Sequence, residues 1–340
     1  MIIPLQLGPD SYEIVMERGA LADAGRWFRL RRKVLIVTDD GVPRAYADAL
    51  AEQCAEARVV CLPQGESTKC FDSLIRLLRE MVEFGMSRGD CAVAVGGGMV
   101  GDLTGFAAAC FMRGIDFYNV PTTVLSQVDS SIGGKTAIDL DGFKNIVGAF
   151  HQPRGVLVDT ELLLTLPPRQ VANGLAEAVK MLLCFDEKAF SLFEQADPLE
   201  HMDEIIERSL RIKKDVVEQD EKEQGLRRVL NFGHTLGHGI ESLHEENGLY
   251  HGECVALGML PMCSEPVRSR LLLVLERLGL PTRCAAEPSR VMRAVAHDKK
   301  RTEDGVNVIL VEQAGTYIQR RMTMEELRER YISCFGERTK

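Results

Sequence analysis

The chain has 340 residues, 45% of them apolar, with 41 Lys and Arg against 50 Asp and Glu for a net charge of -9. That length allows two domains with cores of their own, and the acidic balance argues against a general nucleic-acid surface. The ten cysteines fall singly, without CxxC or paired spacing. This excludes a disulfide framework or four-cysteine zinc knot and suits a reducing cytoplasm, while no run reaches the ~18 apolar residues of a membrane span and the N-terminus lacks a secretion signal.

In chain order, KVLIVTD (33–39), a helical stretch near 42–56, ARVVCLP (57–63) and FDSLIRLLREMVEFG (71–85) come first, followed by CAVAV (91–95), a glycine turn, an alanine-rich helix and FYNVPTT (117–123). Strands alternating with helices of this length predict a parallel sheet covered by helices. From about residue 160 the apolar period becomes helical, as in LAEAVKMLLC and LRRVLNFGHTLGHGIESL. LPPRQ (166–170) reads as a helix start, because prolines forbid a preceding helix but suit a first turn. VNVILV and TYIQRRM, separated by EQAG, predict a small hairpin near the end. The expectation is an α/β domain over 1–155 and a mainly α-helical domain over 156–340.

VAVGGGMVGDLTGFAAA (93–109) is an apolar strand, then Gly96, Gly97, Gly98 and Gly101, then a small-residue helix with a capping-capable Asp102. Backbone without side chains lets a phosphate approach the N–H groups at a helix start, where the helix dipole favours negative charge. The turn is not GxGxxG and lacks the Lys-Ser/Thr pair of an ATP loop. The plainer reading is a tight turn glycine-rich for packing, but a triple glycine exceeds what a turn needs. TDD (38–40), at the end of an earlier strand, offers carboxylates for a ribose, though acidic residues at strand ends are common.

A second polar stretch, 121–153, brings Thr122, Thr123, Asp129, Ser130, Ser131, Lys135, Lys144 and Asn145 into a short space beside glycines. Ammonium groups next to bare backbone suit an anionic small molecule; the alternative is a solvated loop.

His234, His238 and His251 are three of the chain's seven histidines, within 18 residues. His234 and His238 are one helical turn apart and of a spacing that can share a metal, yet HTLGH lacks the glutamate of the zinc-protease HExxH motif. An open catalytic zinc site needs three protein ligands, and His251 with Glu177 of NGLAEAVK, which shares a helix face with Lys180, are further candidates. Each histidine alone is more simply a hydrogen-bonded core residue. Their clustering among glycines favours a metal. Lys213, Arg227 and the pair Lys299 and Lys300 lie on nearby helical segments, either as a solvated face or as the setting for a polyanionic substrate.

GGGMVGDLTGF, MRG, VPTTVLSQVDSSIGGKTAI, KNIVGAFHQP, LPPRQVANGLAEAVK, DVVEQDEKEQGLRRVLNFGHTLGHGIE, HGECVALGM and HDKK together resemble the 3-dehydroquinate synthase family of the sugar phosphate cyclase superfamily, in order from about residue 33 to 300. The resemblance implies a Rossmann-like NAD-binding α/β N-terminal domain and an α-helical C-terminal domain that binds metal and substrate. It implies conversion of 3-deoxy-D-arabino-heptulosonate 7-phosphate to 3-dehydroquinate and phosphate, a shikimate-pathway step on the route to chorismate and the aromatic amino acids. The chemistry is transient oxidation at C5, phosphate elimination, re-reduction and intramolecular aldol closure, with NAD regenerated and zinc, or cobalt, as Lewis acid. A cytoplasmic homodimer is implied, with a small phosphorylated sugar acid as partner and neither nucleic acid nor membrane.

By motif position the resemblance makes Glu177, His234 and His251 the metal ligands. It makes His238 the proton-transfer residue, with Lys135, Asn145, Lys180, Glu223 and Asn231 in the catalytic set. Substrate contacts would be Arg113, Asp129, Lys135, Lys144, Asn145, Lys180, Lys213, Arg227, Asn231, His238 and Lys299 or Lys300. Arg113 matches an arginine that crosses the family's dimer interface. NAD contacts would be Asp39, Glu66, Lys69, Gly97, Gly98, Met99, Asp102, Thr122, Thr123, Leu125, Lys135, Lys144, Thr165, Leu166 and Gln170. The family usually has glutamate at Gln170, and TDDGV departs from its pattern at Asp40. PMCSEPVRSRLLLV (261–274) also differs, away from any site position. Sibling cyclases alter the VDSSIGGKTA segment and the carboxylate-binding cations; here both are intact, with Arg227 and Lys213 suited to a carboxylate. Two other readings stay open: a metal-dependent polyol dehydrogenase of the same broad fold, which would release NADH, and a non-enzymatic metal- and nucleotide-binding regulator.

Overall fold

The computed structural model describes residues 1–243, 248–297 and 305–336. Two compact units compose it: Met1–Pro167 with Lys213–Lys222, and Pro168–Ile212 with Glu223–Lys340.

The first unit is built on a seven-stranded sheet. Its strands are β1 (Ile2–Leu5), β2 (Tyr12–Met16), β3 (Lys33–Asp39), β4 (Glu56–Leu62), β5 (Cys91–Gly96), β6 (Asp116–Pro121) and β9 (Gly155–Val158), in the spatial order β1-β2-β9-β6-β5-β3-β4. Every pairing is parallel except the edge hairpin β1–β2. β5 is buried along its whole length, as an apolar run covered on both faces should be. The period-two alternation sorts the side chains. Leu35, Val37, Ala92 and Ala94 pack on one face with Leu74, Leu77 and Met81 of α2 (Phe71–Glu83) and Leu103 and Phe106 of α3 (Gly98–Cys110). Val34, Ile36, Val93 and Val95 pack on the other with Ala47 and Leu50 of α1 (Arg44–Ala51).

Three sequence expectations need correction. The helix expected near 42–56 is only Arg44–Ala51, because Pro43 precedes it and the chain has entered β4 by Glu56. The polar stretch 121–153 is not a loop: it forms a π-turn, Ser126–Ser130, and an antiparallel hairpin of β7 (Lys135–Leu140) and β8 (Phe143–Phe150). The boundary expected at 155/156 falls inside β9, which is hydrogen-bonded to both β2 and β6, so the first unit runs on to Pro167.

In the second unit α4 (Pro168–Phe185) starts where the two prolines predict. Its residues Asn173 through Cys184 are all buried, making it the central helix of the unit. Around it come α5 (Glu187–Gln195), α6 (Met202–Gln219, whose residues from Lys213 belong to the first unit), α7 (His234–Glu241), α8 (His251–Met259), α9 (Glu265–Arg277), α10 (Pro288–His297) and α11 (Met324–Phe335). The expected C-terminal hairpin is present as β10 (Val306–Leu310) paired antiparallel with β11 (Ile318–Met322).

Candidate active site

The second unit brings Glu177 of α4, His234 at the first residue of α7 and His251 at the first residue of α8 to one point. Glu177 Oε1 lies 3.7 Å from His234 Nε2 and 3.4 Å from His251 Nε2. With nitrogen and oxygen ligands about 2.0–2.1 Å from zinc, a tetrahedral ligand–ligand edge is about 3.3 Å, longer than a hydrogen bond. The spacing therefore suits a shared divalent ion. Glu177 is fully buried, and neither of its oxygens meets a donor in hydrogen-bonding geometry; Oε2 is in ionic contact with Lys180. Burial opposes its charge, but Lys180 and the His251 ring outweigh it and hold the carboxyl at about 2, ionised as a ligand must be. Burial and the adjacent Lys180 hold His234 well below its ordinary value, hence neutral.

Helix packing fixes this geometry. Asn173, one turn before Glu177, accepts the N–H of Gly252 at 2.7 Å. A Cβ on Gly252 would lie 1.9 Å from the Asn173 carbonyl, and one on Gly258 would lie 2.0 Å from the Gly233 carbonyl, so only glycine lets α8 press against both α4 and the start of α7. Glu253 caps its own helix by accepting Tyr250 N–H at 2.8 Å. It also takes a two-pronged bond from Arg169 at 2.7 and 2.8 Å, while Arg169 stacks 4.1 Å over the Tyr250 ring. The supporting roles of Asn173, Arg169 and Glu253 carry no signal in the sequence beyond the position of Glu253 two residues after His251.

His238, one turn after His234, has its ring 5.2 Å from that of His234 and 5.9 Å from that of His251. It stands outside the Glu177 group, in a second cluster with Glu241 and His251. Asn231 donates to Glu223 at 2.5 Å, and Glu223 takes a left-handed backbone, φ +57°, unusual outside glycine. Arg227 is buried in the turn Leu226–Asn231. Gln170 accepts only a long bond from Asn173, 3.5 Å. Lys299 and Lys300 lie outside the described residues.

In the first unit the strand order turns around β3, with β4 on one side and β5 on the other. At such a switch point the carboxyl ends of neighbouring strands open a crevice for a ligand. Asp39 ends β3, and Gly97 and Gly98 follow β5 directly. The first turn of α3 has Gly97 as its cap residue with no side-chain cap, which leaves its N–H groups for an anion. Asp102 is not a cap as expected: it sits a turn further on and pairs with Lys69 at 2.6 Å. Lys69 also donates to Asn145 and lies 3.8 Å from Glu66. Burial disfavours its ammonium, but Asp102 and Glu66 outweigh this and keep it charged. Asp39 is raised by burial, against bonds it accepts from Gly41 and Val42 N–H.

Thr122 N–H closes onto the Gly96 carbonyl at 3.0 Å, and Thr123 Oγ1 caps Ser126 N–H at 3.2 Å. Met99 and Leu125 flank the same turn, half-buried, and Thr165 shares a 3.3 Å bond with Tyr46 before Leu166. Asp129 accepts from Lys213, and Gln152 donates to Glu221 at 2.9 Å, two of the bonds that residues 213–222 make within this unit. Lys135, Lys144 and Asn145 are exposed on the β7–β8 hairpin. Arg113 is exposed too, itself left-handed (φ +67°) after a left-handed Met112, and makes no hydrogen bond or ion pair among the described residues.

Comparison with known proteins places the chain in a family. Residues 59–173 match the 3-dehydroquinate synthase N-terminal model and 174–301 the 3-dehydroquinate synthase C-terminal model. The chain is 40% identical to the 3-dehydroquinate synthase of Pelobacter propionicus over 96% of this chain and 97% of that one. It is 38% identical to that of Enterococcus faecalis over 96% and 98%. Among solved structures it resembles 2-deoxy-scyllo-inosose synthase complexed with carbaglucose-6-phosphate, NAD+ and Co2+ (TM-score 0.89, 25% identity, 98% and 100% coverage). It also resembles the 2-epi-5-epi-valiolone synthase of Streptomyces hygroscopicus with NAD+ and Zn2+ bound (TM-score 0.86, 26% identity, 95% and 96%). A probable glycerol dehydrogenase from Sinorhizobium meliloti, 18% identical with TM-score 0.62 over 94% and 95%, shares the fold alone. With adjacent family models matched over residues 59–173 and 174–301 and nearly full-length relatives at about 40% identity, the chain belongs to the 3-dehydroquinate synthase family.

Proposed function

We propose that this protein is a 3-dehydroquinate synthase, a phosphate-eliminating cyclase that converts 3-deoxy-D-arabino-heptulosonate 7-phosphate to 3-dehydroquinate and phosphate. The observation that carries the reading is the ligand spacing: one ionised, buried glutamate oxygen 3.4 and 3.7 Å from two imidazole nitrogens, in a chain of this family. Glu177, His234 and His251 would hold a zinc or cobalt ion, which supplies Lewis acidity at the substrate's C5 oxygen. The side-chain-free turn Gly97–Gly98 with Asp39, Glu66, Lys69, Met99, Asp102, Thr122, Thr123, Leu125, Lys135, Lys144, Thr165 and Leu166 of the first unit would hold NAD, which supplies a reversible hydride acceptor; Gln170 is a further contact by family position.

His238 stands beside the ligand histidines without joining the Glu177 group, a position suited to moving a proton at the substrate. Lys180 would bind substrate oxygens while keeping Glu177 ionised. Lys135, Lys144, Asn145 and one lysine of the pair Lys299 and Lys300 would bind the anionic groups, with Arg227 and Lys213 taking the carboxylate. Asp129 sets Lys213, and Asn231 with Glu223 forms one hydrogen-bonded substrate contact. Cytoplasmic residence fits ten free cysteines spread over both units. No described helix is long and apolar enough to cross a membrane. A homodimer fits the exposed Arg113, held outward by left-handed backbone at Met112 and Arg113.

The test is incubation with the heptulosonate phosphate, NAD and zinc, following phosphate and 3-dehydroquinate together. Equal release of both without net NADH is expected. NADH accumulating with a polyol would mean a dehydrogenase, and metal and NAD bound without phosphate release would mean a regulator. A chelator should abolish turnover and zinc or cobalt restore it.

A further inference from the structure

Both ligand histidines use Nε2 toward Glu177, and each has its other nitrogen occupied, by different means. His234 Nδ1 donates to the Phe232 carbonyl at 3.2 Å, two residues back in its own chain, and the ring is buried. His251 Nδ1 has no such backbone partner among the described residues. It stands at the first residue of α8, its side chain is 30% exposed, and its Nδ1 meets Glu241 Oε2 at 3.1 Å. Glu241 is the last residue of α7 and is itself buried. Seven residues after His234, it lies on the same helix face, so one helix carries a ligand and the group that aims the ligand of the next helix.

We infer that Glu241 is a positioning residue for the metal centre: it fixes His251 in the Nδ1–H tautomer, turns its Nε2 lone pair toward Glu177, and strengthens it as a donor. A carboxylate buried beside an imidazole N–H does all three, because the bond selects the tautomer, fixes the ring torsion and places negative charge behind the ligating nitrogen. His234 needs no carboxylate, since burial and the backbone carbonyl hold its ring.

This inference rests on the metal reading above. The experiment compares full-length wild type with Glu241→Gln, Glu241→Ala and His234→Ala. Each is stripped of metal, titrated with zinc against a chromophoric chelator, and reloaded with cobalt for its visible spectrum. Glu241→Gln keeps the size of the side chain and an oxygen to accept the bond, so it folds if any variant does and should lose the least. Expected are one metal equivalent in wild type and both Glu241 variants, affinity weakened roughly ten- to a hundredfold in Glu241→Ala, a smaller loss in Glu241→Gln, and a shifted cobalt band in both. NAD binding stays unchanged. Zinc affinity within about twofold of wild type in Glu241→Ala, with an unaltered cobalt spectrum, would overturn it. So would two equivalents in wild type falling to one in the variants, which would make Glu241 a ligand of a second ion with His238. Metal retained in His234→Ala would defeat the metal reading itself; metal lost there but undisturbed in the Glu241 variants would defeat only this inference.

Discussion

The glycine turn of the first unit and the histidine cluster of the second are sites built on opposite plans. The turn works through missing side chains: Gly97 and Gly98, adjacent in the chain, leave the backbone N–H groups at the start of α3 without a side-chain cap. The cluster works through side chains brought from three helices, with Glu177 far upstream of the histidines and each group aimed by a neighbour. A backbone site tolerates changes around it but no added Cβ. A side-chain site depends on how closely its helices approach.

The largest effect should follow removal of a ligand. His234→Ala is expected to lose its metal and about three orders of magnitude in turnover, as suits several kcal/mol of Lewis-acid stabilisation, while NAD still binds. His238→Ala should lose turnover with metal retained. Equal metal loss in both, measured by atomic emission, would make His238 a metal ligand as well and remove its separate role.

Gly252→Ala tests whether helix approach sets the second site. The new Cβ would stand 1.9 Å from the Asn173 carbonyl. Overpacking of this kind costs about 1–3 kcal/mol, so melting should fall by roughly 2–10 °C, with weaker zinc binding alongside. Unchanged calorimetry and zinc affinity would show that α8 can shift freely.

Gly98→Ala is the counterpart in the first unit, its Cβ falling 2.9 Å from Ser130 Oγ. Loss of one charge-assisted backbone contact predicts NAD affinity weaker by roughly ten- to a hundredfold in calorimetric titration. Zinc affinity should not move. A parallel loss of zinc would mean that the two sites are not separable as described.

The smallest effect belongs to Asp116, at the start of β6, the strand end opposite the glycine turn. Burial would raise its carboxyl, but bonds from Arg32 at 2.8 Å and Arg154 at 3.0 Å outweigh it and hold it below the usual carboxylate range. A depressed folded-state value means its stabilisation is present above the unfolded value, about pH 4, and fades as pH falls through the folded one. Asp116→Asn should therefore melt lower than wild type at pH 7, with the gap closing toward pH 2. A gap that is constant across that range would remove the ion pair as its cause.

Much of the fold was legible because its signals are local. Apolar runs such as CAVAV, the helical period of FDSLIRLLREMVE and the paired prolines before α4 each constrain their own few residues, and the structure follows them. The polar stretch 121–153 misled because lysines and glycines read as a loop, whereas cross-strand pairing such as Lys135 with Phe150 makes it a hairpin. Asp102 misled as a cap because its partner, Lys69, comes from a distant segment.

By itself the sequence determined the alternation of strands and helices, the bare glycine turn, the paired spacing of His234 and His238, and membership of a family through long ordered motifs. These depend on neighbours along the chain. Only the tertiary structure decided that Asp39 and the glycine turn end strands adjacent in the sheet, how closely Glu177, His234 and His251 approach one another, and that Glu241 stands behind His251. Such choices depend on helix approach set by Gly252 and Gly258 and on strand order, and residue spacing encodes neither.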